Sequence, residues 1–174
     1  HIDDRFPTKS GALYFAKLSL ENELWPVLLE KAMAALYEGY QNLKGGWGPT
    51  AWAHVTGCEN AYSIRKMDGT DTWRRRKMIW DDNDSPHIKW AKWSDGEKGH
   101  HAKPTEELLD LLVEWDKCNY LMCASAHLES SDDKQVEGIV QSHAYSLIKV
   151  VKDVAGSGVS LLQLRNPWGR SEWE

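Results

Sequence analysis

The stretch Gln141-Ser142-His143-Ala144-Tyr145-Ser146-Leu147-Ile148-Lys149-Val150-Val151-Lys152 decides how this chain folds. It is rich in β-branched and aromatic residues, which predicts a strand over Ser142 to Lys152. Ala155-Gly156-Ser157-Gly158 follows as a hairpin connection, and Val159 to Arg165 returns antiparallel. Side chains alternate across a strand, so His143, Tyr145 and Leu147 share one face and Ala144, Ser146 and Ile148 the other. The return strand runs into Arg165-Asn166-Pro167-Trp168-Gly169. If the hairpin closes in register, Asn166 comes to lie near His143. Spacing alone favours a hydrogen-bonded core His and a turn Asn before Pro; the surrounding residues reverse that balance.

Working outward, Tyr120 to His127 reads as a strand and Ser130 to Lys134 as a polar loop. Thr105 to Asp116 reads as a helix: Leu108, Leu109, Leu111, Leu112 and Trp115 form a wide apolar stripe, with Glu106 and Glu107 in the first turn. A longer helix is expected from Glu23 to Leu43, with Asn22 as N-cap and Pro26 in the first turn. Its apolar positions Leu24, Leu28, Ala32, Ala35 and Tyr40 recur with helical period, and Gly45-Gly46 ends it. Ala12 to Leu18 reads as a short strand, whereas Val55 to Lys66 is less clear, with Ala61-Tyr62-Ser63-Ile64 open between strand and short helix. Composition shifts over residues 68–103, with Arg74-Arg75-Arg76-Lys77, Asp81-Asp82-Asn83-Asp84, Trp90, Trp93 and Gly99-His100-His101. A structureless loop of that length is unusual in a compact domain. Its Trp residues point to partial order, with a hairpin across Met78 to Trp80 and Ile88 to Trp90. Helices come first and strands last, which predicts an α+β fold over residues 1–174.

The chain has 174 residues and a net charge of −5, a balance that argues against nonspecific nucleic-acid binding. No apolar run approaches the ~18 residues needed to cross a bilayer, and the start does not read as a signal peptide. Beginning at His1 without Met and stopping just past a motif at Glu174, it reads as a piece of a longer protein. Three cysteines, Cys58, Cys118 and Cys123, make a poor disulfide framework and fit reduced thiols in a cytoplasmic protein.

A His on a strand with an Asn returned to its side has a chemical use. The imidazole can take a thiol proton, so that sulfur attacks as thiolate. The amide oxygen of Asn can accept from the other ring nitrogen and set the ring's orientation, the task Asp performs in a Ser-His-Asp triad. With Pro167 and Trp168 beside Asn166, the arrangement resembles the base half of a papain-like cysteine protease. No Cys here stands in the Gly-x-Cys-Trp setting that opens the active-site helix of such enzymes. The chain therefore reads as half of an active site.

Further motifs bring a narrower resemblance. Asp3-Asp4-Arg5-Phe6-Pro7-Thr8, Gly11-Ala12-Leu13-Tyr14-Phe15-Ala16, Glu23-Leu24-Trp25-Pro26-Val27-Leu28-Leu29-Glu30-Lys31-Ala32 and Tyr40 to Gly46 occur in that order ahead of His143-Ala144-Tyr145-Ser146 and Arg165-Asn166-Pro167-Trp168-Gly169. Together they resemble the second catalytic subdomain of the calpains, calcium-dependent cysteine proteases. The resemblance implies the sheet-rich half of a papain-like fold: an antiparallel, partly closed sheet with one long helix covering a side. It implies that His143 is the general base and acid, that Asn166 orients it, and that Trp168 packs over their hydrogen bond and borders the cleft. The nucleophile would come from a preceding Cys-bearing subdomain, and polypeptides would be the substrate.

Calcium is the implied cofactor. Glu172 matches one ligand of a family site, but a lone carboxylate cannot supply the six to eight oxygens calcium takes. Two positions depart from the family pattern: Ser142 stands where a Gly usually precedes the His, lining the substrate channel, and Cys58 replaces the second Gly of Thr-Gly-Gly. Residues 68–103 have no recognised counterpart in the family and read as an insertion.

Other readings are weaker. Cys118 ends a helix, where the dipole disfavours a thiolate. His100, His101, Cys118 and Cys123 fit no tight zinc spacing. Arg74 to Lys77 reads as a solvated face, with an acidic partner as the alternative. A non-catalytic scaffold or regulatory binding module remains the competing function, with the Trp residues forming a recognition surface. A Trp-rich sugar-binding domain rests on composition alone.

Overall fold

A computed structural model describes residues 3–18, 22–79, 87–126, 135–136 and 138–168. The chain divides into two compact units, His1–Gly46 and Trp47–Glu174.

In the first unit β1 (Thr8–Lys9) pairs antiparallel with β2 (Ala12–Leu13). Ser10 and Gly11 both have positive φ, 53° and 79°, as a two-residue type I′ hairpin turn requires. The expected strand over Ala12 to Leu18 is therefore only its first two residues. Helix α1 spans Trp25–Leu36 and buries Val27 and Ala34. Pro26 sits in its first turn, but the N-cap is Leu24 rather than Asn22, which has φ 58°.

The helix also stops seven residues before the expected Leu43. Glu38 enters the left-handed region at φ 60°, and Gly39 at φ 139° and ψ 155° takes a conformation essentially confined to glycine. The Gly39 N–H then donates to the Ala34 carbonyl (2.7 Å) and the Glu38 N–H to the Ala35 carbonyl (3.4 Å). These paired bonds are a Schellman cap, which satisfies carbonyls that would otherwise be orphaned. Tyr40–Leu43 continues only as a 3-10 turn. Tyr40 stacks on Phe15, with ring centroids 4.7 Å apart.

The second unit opens with α2 (Gly48–Thr56), a helix that the ambiguous Val55 to Lys66 reading did not anticipate. Two antiparallel sheets follow. In one, β3 (Tyr62–Lys66) and β5 (His87–Trp90) flank β4 (Thr72–Ile79), and β6 (Lys103–Pro104) also pairs with β4. Met78 faces Ile88 across β4 and β5, as expected for the Trp-rich stretch.

Arg74 to Lys77 is not a solvated face. All four residues are half-buried in this central strand. Arg75 lies 3.5 Å from the centre of the Tyr62 ring, and Arg74 lies 5.0 Å from that of Trp90. The aliphatic stems and guanidinium planes cover aromatic rings, which lets a cationic run sit inside a sheet. Burial, reinforced by nearby Arg65, lowers the Arg76 pKa from its ordinary value.

Helix α3 (Thr105–Lys117) leads into the other sheet, in which β10 (His143–Val151) lies between β7 (Met122–Ala126) and β11 (Leu161–Arg165). A short pair, β8 (Gln135–Val136) and β9 (Ile139–Val140), precedes β10. Asp116 of α3 accepts the Val150 N–H at 3.0 Å, and Lys152 reaches Glu106 and Asp110 at 2.6 Å each. Among the described residues of this unit the buried apolar side chains are Met78, Trp93, Leu108, Tyr145 and Val150. Burial of each large one contributes about 1.5–3 kcal/mol.

Candidate functional site

His143 opens β10, and its position depends on a turn at Ser142. Ser142 has φ 53°, and its N–H donates to the Ala126 carbonyl at 2.8 Å. Ala126 pairs with Gln141 on one side of that turn and with His143 on the other. The chain thus bends around Ala126 before it enters the sheet. A left-handed residue with a side chain costs about 1–2 kcal/mol, which is the physical case for glycine before this His.

Asn166 follows the last residue of β11, and a bulge in β10 determines its side of the sheet. Near the hairpin end the register pairs Val151 with Leu161, Val150 with Leu162 and Lys149 with Gln163. Beyond an irregularity at Ile148, Leu147 pairs with Leu164 and Ser146 with Arg165. The bulge advances the register by one residue. Continued, it sets Asn166 opposite Tyr145, on the face that His143 shares. Without it Asn166 would fall opposite Ser146, on the other face, because a one-residue slip inverts every side chain.

The two side chains meet. His143 Nε2 lies 2.9 Å from Asn166 Oδ1, and the Trp168 backbone N–H donates to the same oxygen at 3.1 Å. A backbone N–H can only donate, so the atom it meets is the acceptor of the amide. The imidazole must therefore carry its proton on Nε2 to make the bond. In the neutral ring this leaves the Nδ1 lone pair available. Pro167 between Asn166 and Trp168 suits the tight turn that closes the second bond. The Trp168 ring lies 4.6 Å from the imidazole, tilted by 45°, and Tyr145 meets the imidazole edge-on at 5.0 Å. Trp168 is 55% exposed and His143 half-buried, so the pair lies at a surface.

None of the described cysteines is arranged as a nucleophile. Cys123 pairs with Ser146 across β7 and β10, which puts it on the face opposite His143. Burial pushes its thiol pKa up, away from thiolate. Its sulfur would lie 2.8 Å from a Cβ placed on Gly48, so it packs against the start of α2. Cys58 and Cys118 are exposed, and Cys118 caps the C-terminus of α3.

Glu172 lies outside the described residues. Among the described residues no group of three or more His, Cys, Asp or Glu side chains could hold a metal ion. The structure brings His143, Asn166 and Trp168 together. Sequence reasoning missed the Ile148 bulge and the position of Tyr145, whose hydroxyl accepts the Val140 N–H at 2.9 Å. Alternation along β10 had already put Tyr145 on the imidazole's face, but its hydroxyl contact depends on how the preceding segment folds back.

Comparison with known proteins gives a consistent result. The calpain family cysteine protease model matches residues 1–174. Over 99% of its length the chain is 30% identical to mouse Calpain-12, 30% identical to Calpain-5 of Caenorhabditis elegans and 32% identical to mouse Calpain-8. It spans 19%, 25% and 20% of those proteins respectively.

Proposed function

The chain belongs to the calpain family of cysteine proteases, and from that premise we propose that it is the His/Asn-bearing half of a calcium-dependent, cytoplasmic cysteine endopeptidase. The observation that carries the reading is the 2.9 Å contact between His143 Nε2 and Asn166 Oδ1, with Nδ1 left as a proton acceptor. A Cys-bearing subdomain of the same parent chain supplies the thiol. The thiol proton passes to His143 Nδ1, and the thiolate attacks the carbonyl carbon of an extended polypeptide. The imidazolium then returns that proton to the leaving amine. Asn166 holds the ring in the tautomer that makes both transfers possible, and Trp168 restricts water around the bond.

The fold this function needs is the sheet-rich half of a papain-like proteinase, with residues 68–103 inserted as a feature of this chain. Calcium would act in the whole protein, with Glu172 as one of its ligands. No helix among the described residues is long and apolar enough to cross a membrane.

The 174-residue chain alone should hydrolyse no peptide. Joined to a Cys-bearing calpain subdomain, it should cleave a fluorogenic peptide, and His143→Ala should abolish that cleavage. Peptidase activity of the isolated chain that Cys123→Ala removes would overturn the proposal. A parent chain lacking Cys at the start of the expected helix would instead favour a non-catalytic binding module.

A further inference from the structure

His χ2 is a broad torsion, so one hydrogen bond does not by itself fix the plane of an imidazole. The side chain that supplies the missing restraint is Tyr145. It lies two residues beyond His143 on the same face of β10 and is 6% exposed. Its ring meets the imidazole at 5.0 Å with 82° between planes, while Trp168 holds the imidazole from another side at 4.6 Å. The Tyr145 hydroxyl also accepts the Val140 N–H at 2.9 Å. Val140 ends β9, and only Gln141 and Ser142 separate it from His143. One side chain therefore touches both the imidazole and the backbone that leads into it.

We propose that Tyr145 is a positioning residue for His143, a role that rests on the reading of His143 as the base. Its ring limits rotation of the imidazole about the Cβ–Cγ bond. Its hydroxyl tethers the segment that enters β10, so the left-handed turn at Ser142 keeps its place. Nε2–H then stays aimed at Asn166, and Nδ1 stays free to meet the thiol. Removing the hydroxyl leaves a partly buried N–H at Val140 without an acceptor and loosens that tether.

The test follows the His143 Nε2–H proton by NMR in the 174-residue chain labelled with 15N at histidine. Solvent exchange of this proton should be slow in the unaltered chain, and Asn166→Ala should remove the protection. Tyr145→Phe should accelerate exchange on the order of tenfold, the consequence of losing about one hydrogen bond, while thermal unfolding shows the fold retained. Tyr145→Leu should accelerate it further, and if that variant does not fold, Tyr145→Phe decides. Exchange in Tyr145→Phe as slow as in the unaltered chain, with Asn166→Ala fast, would make Tyr145 a core residue only and overturn the inference while leaving the His143–Asn166 pair intact. Exchange in the unaltered chain as fast as in Asn166→Ala would remove the pair itself, and the inference with it.

Discussion

The two sheets of the second unit use polar residues in opposite ways. The sheet of β7, β10 and β11 carries one aligned polar contact at its end, between His143 and Asn166, set by a bulge and a strained turn. The sheet of β3 to β6 carries a run of cations along its central strand, spread over Tyr62 and Trp90. A single displaced residue breaks the first arrangement, because hydrogen bonding depends on distance and direction. The second tolerates displacement, because cation–π attraction acts broadly within about 6 Å of a ring. The candidate site therefore sits on the sheet where geometry is over-determined.

Inserting one glycine between Arg165 and Asn166 should break this contrast most sharply. The insertion shifts Asn166 one position along, opposite Ala144 and onto the face away from His143, and a chain completed with a Cys-bearing subdomain should lose about 10²-fold or more in kcat/KM. Peptide hydrolysis measures the loss. Unchanged kcat/KM would show that the register of the return strand does not set the pair.

Met78→Ala offers the reverse case. Met78 is fully buried in the other sheet, and its truncation should cost about 2–5 kcal/mol of stability by urea unfolding. The His143–Asn166 contact should survive wherever the protein remains folded. Loss of that contact at low urea would mean the two sheets are coupled.

Two smaller changes sharpen the picture. Ser142→Gly should stabilise the chain by about 1 kcal/mol, since glycine adopts the left-handed turn freely. A drop in Tm would show that the Ser142 side chain contributes more than its backbone strain costs. Glu38→Gly, at the Schellman position after α1, should stabilise by a similar amount for the same reason. It should leave peptide cleavage unchanged.

The smallest expected effect is electrostatic. Hydrogen bonds to Asp110 and then Glu106 raise the Lys152 pKa above its ordinary value. Its contribution to stability is therefore complete below the unfolded pKa, about 10.4, and is lost as pH rises through the folded value. Lys152→Met should flatten the alkaline limb of a Tm-against-pH curve and leave the acid limb as it was. An unaltered alkaline limb would show that this exposed bridge contributes nothing measurable.

Much of the site was legible in the sequence, since the His143 strand, the glycine-rich connection and the Asn166-Pro167-Trp168 ending are local signals. So was α3, whose apolar stripe matches Thr105–Lys117 closely. Helix α2 was legible but overlooked: Pro49 just inside its start and Gly57 just past its end are the usual punctuation. The stop of α1 was less visible. Glu38 carries no sequence signal for a left-handed conformation, and Gly39 alone is tolerated inside many helices.

Residue types by themselves determined that an imidazole and a carboxamide would flank one hairpin, because strand propensity and turn chemistry act over a few neighbours. Only the tertiary structure decided that both would occupy the same face. A bulge forms where packing of β10 against two strands and α3 favours one extra residue, and no period-two pattern along the strand records that choice. The same holds for Arg74 to Lys77: as a string it reads as a solvated run, and only the rings of neighbouring strands turn it into a half-buried strand.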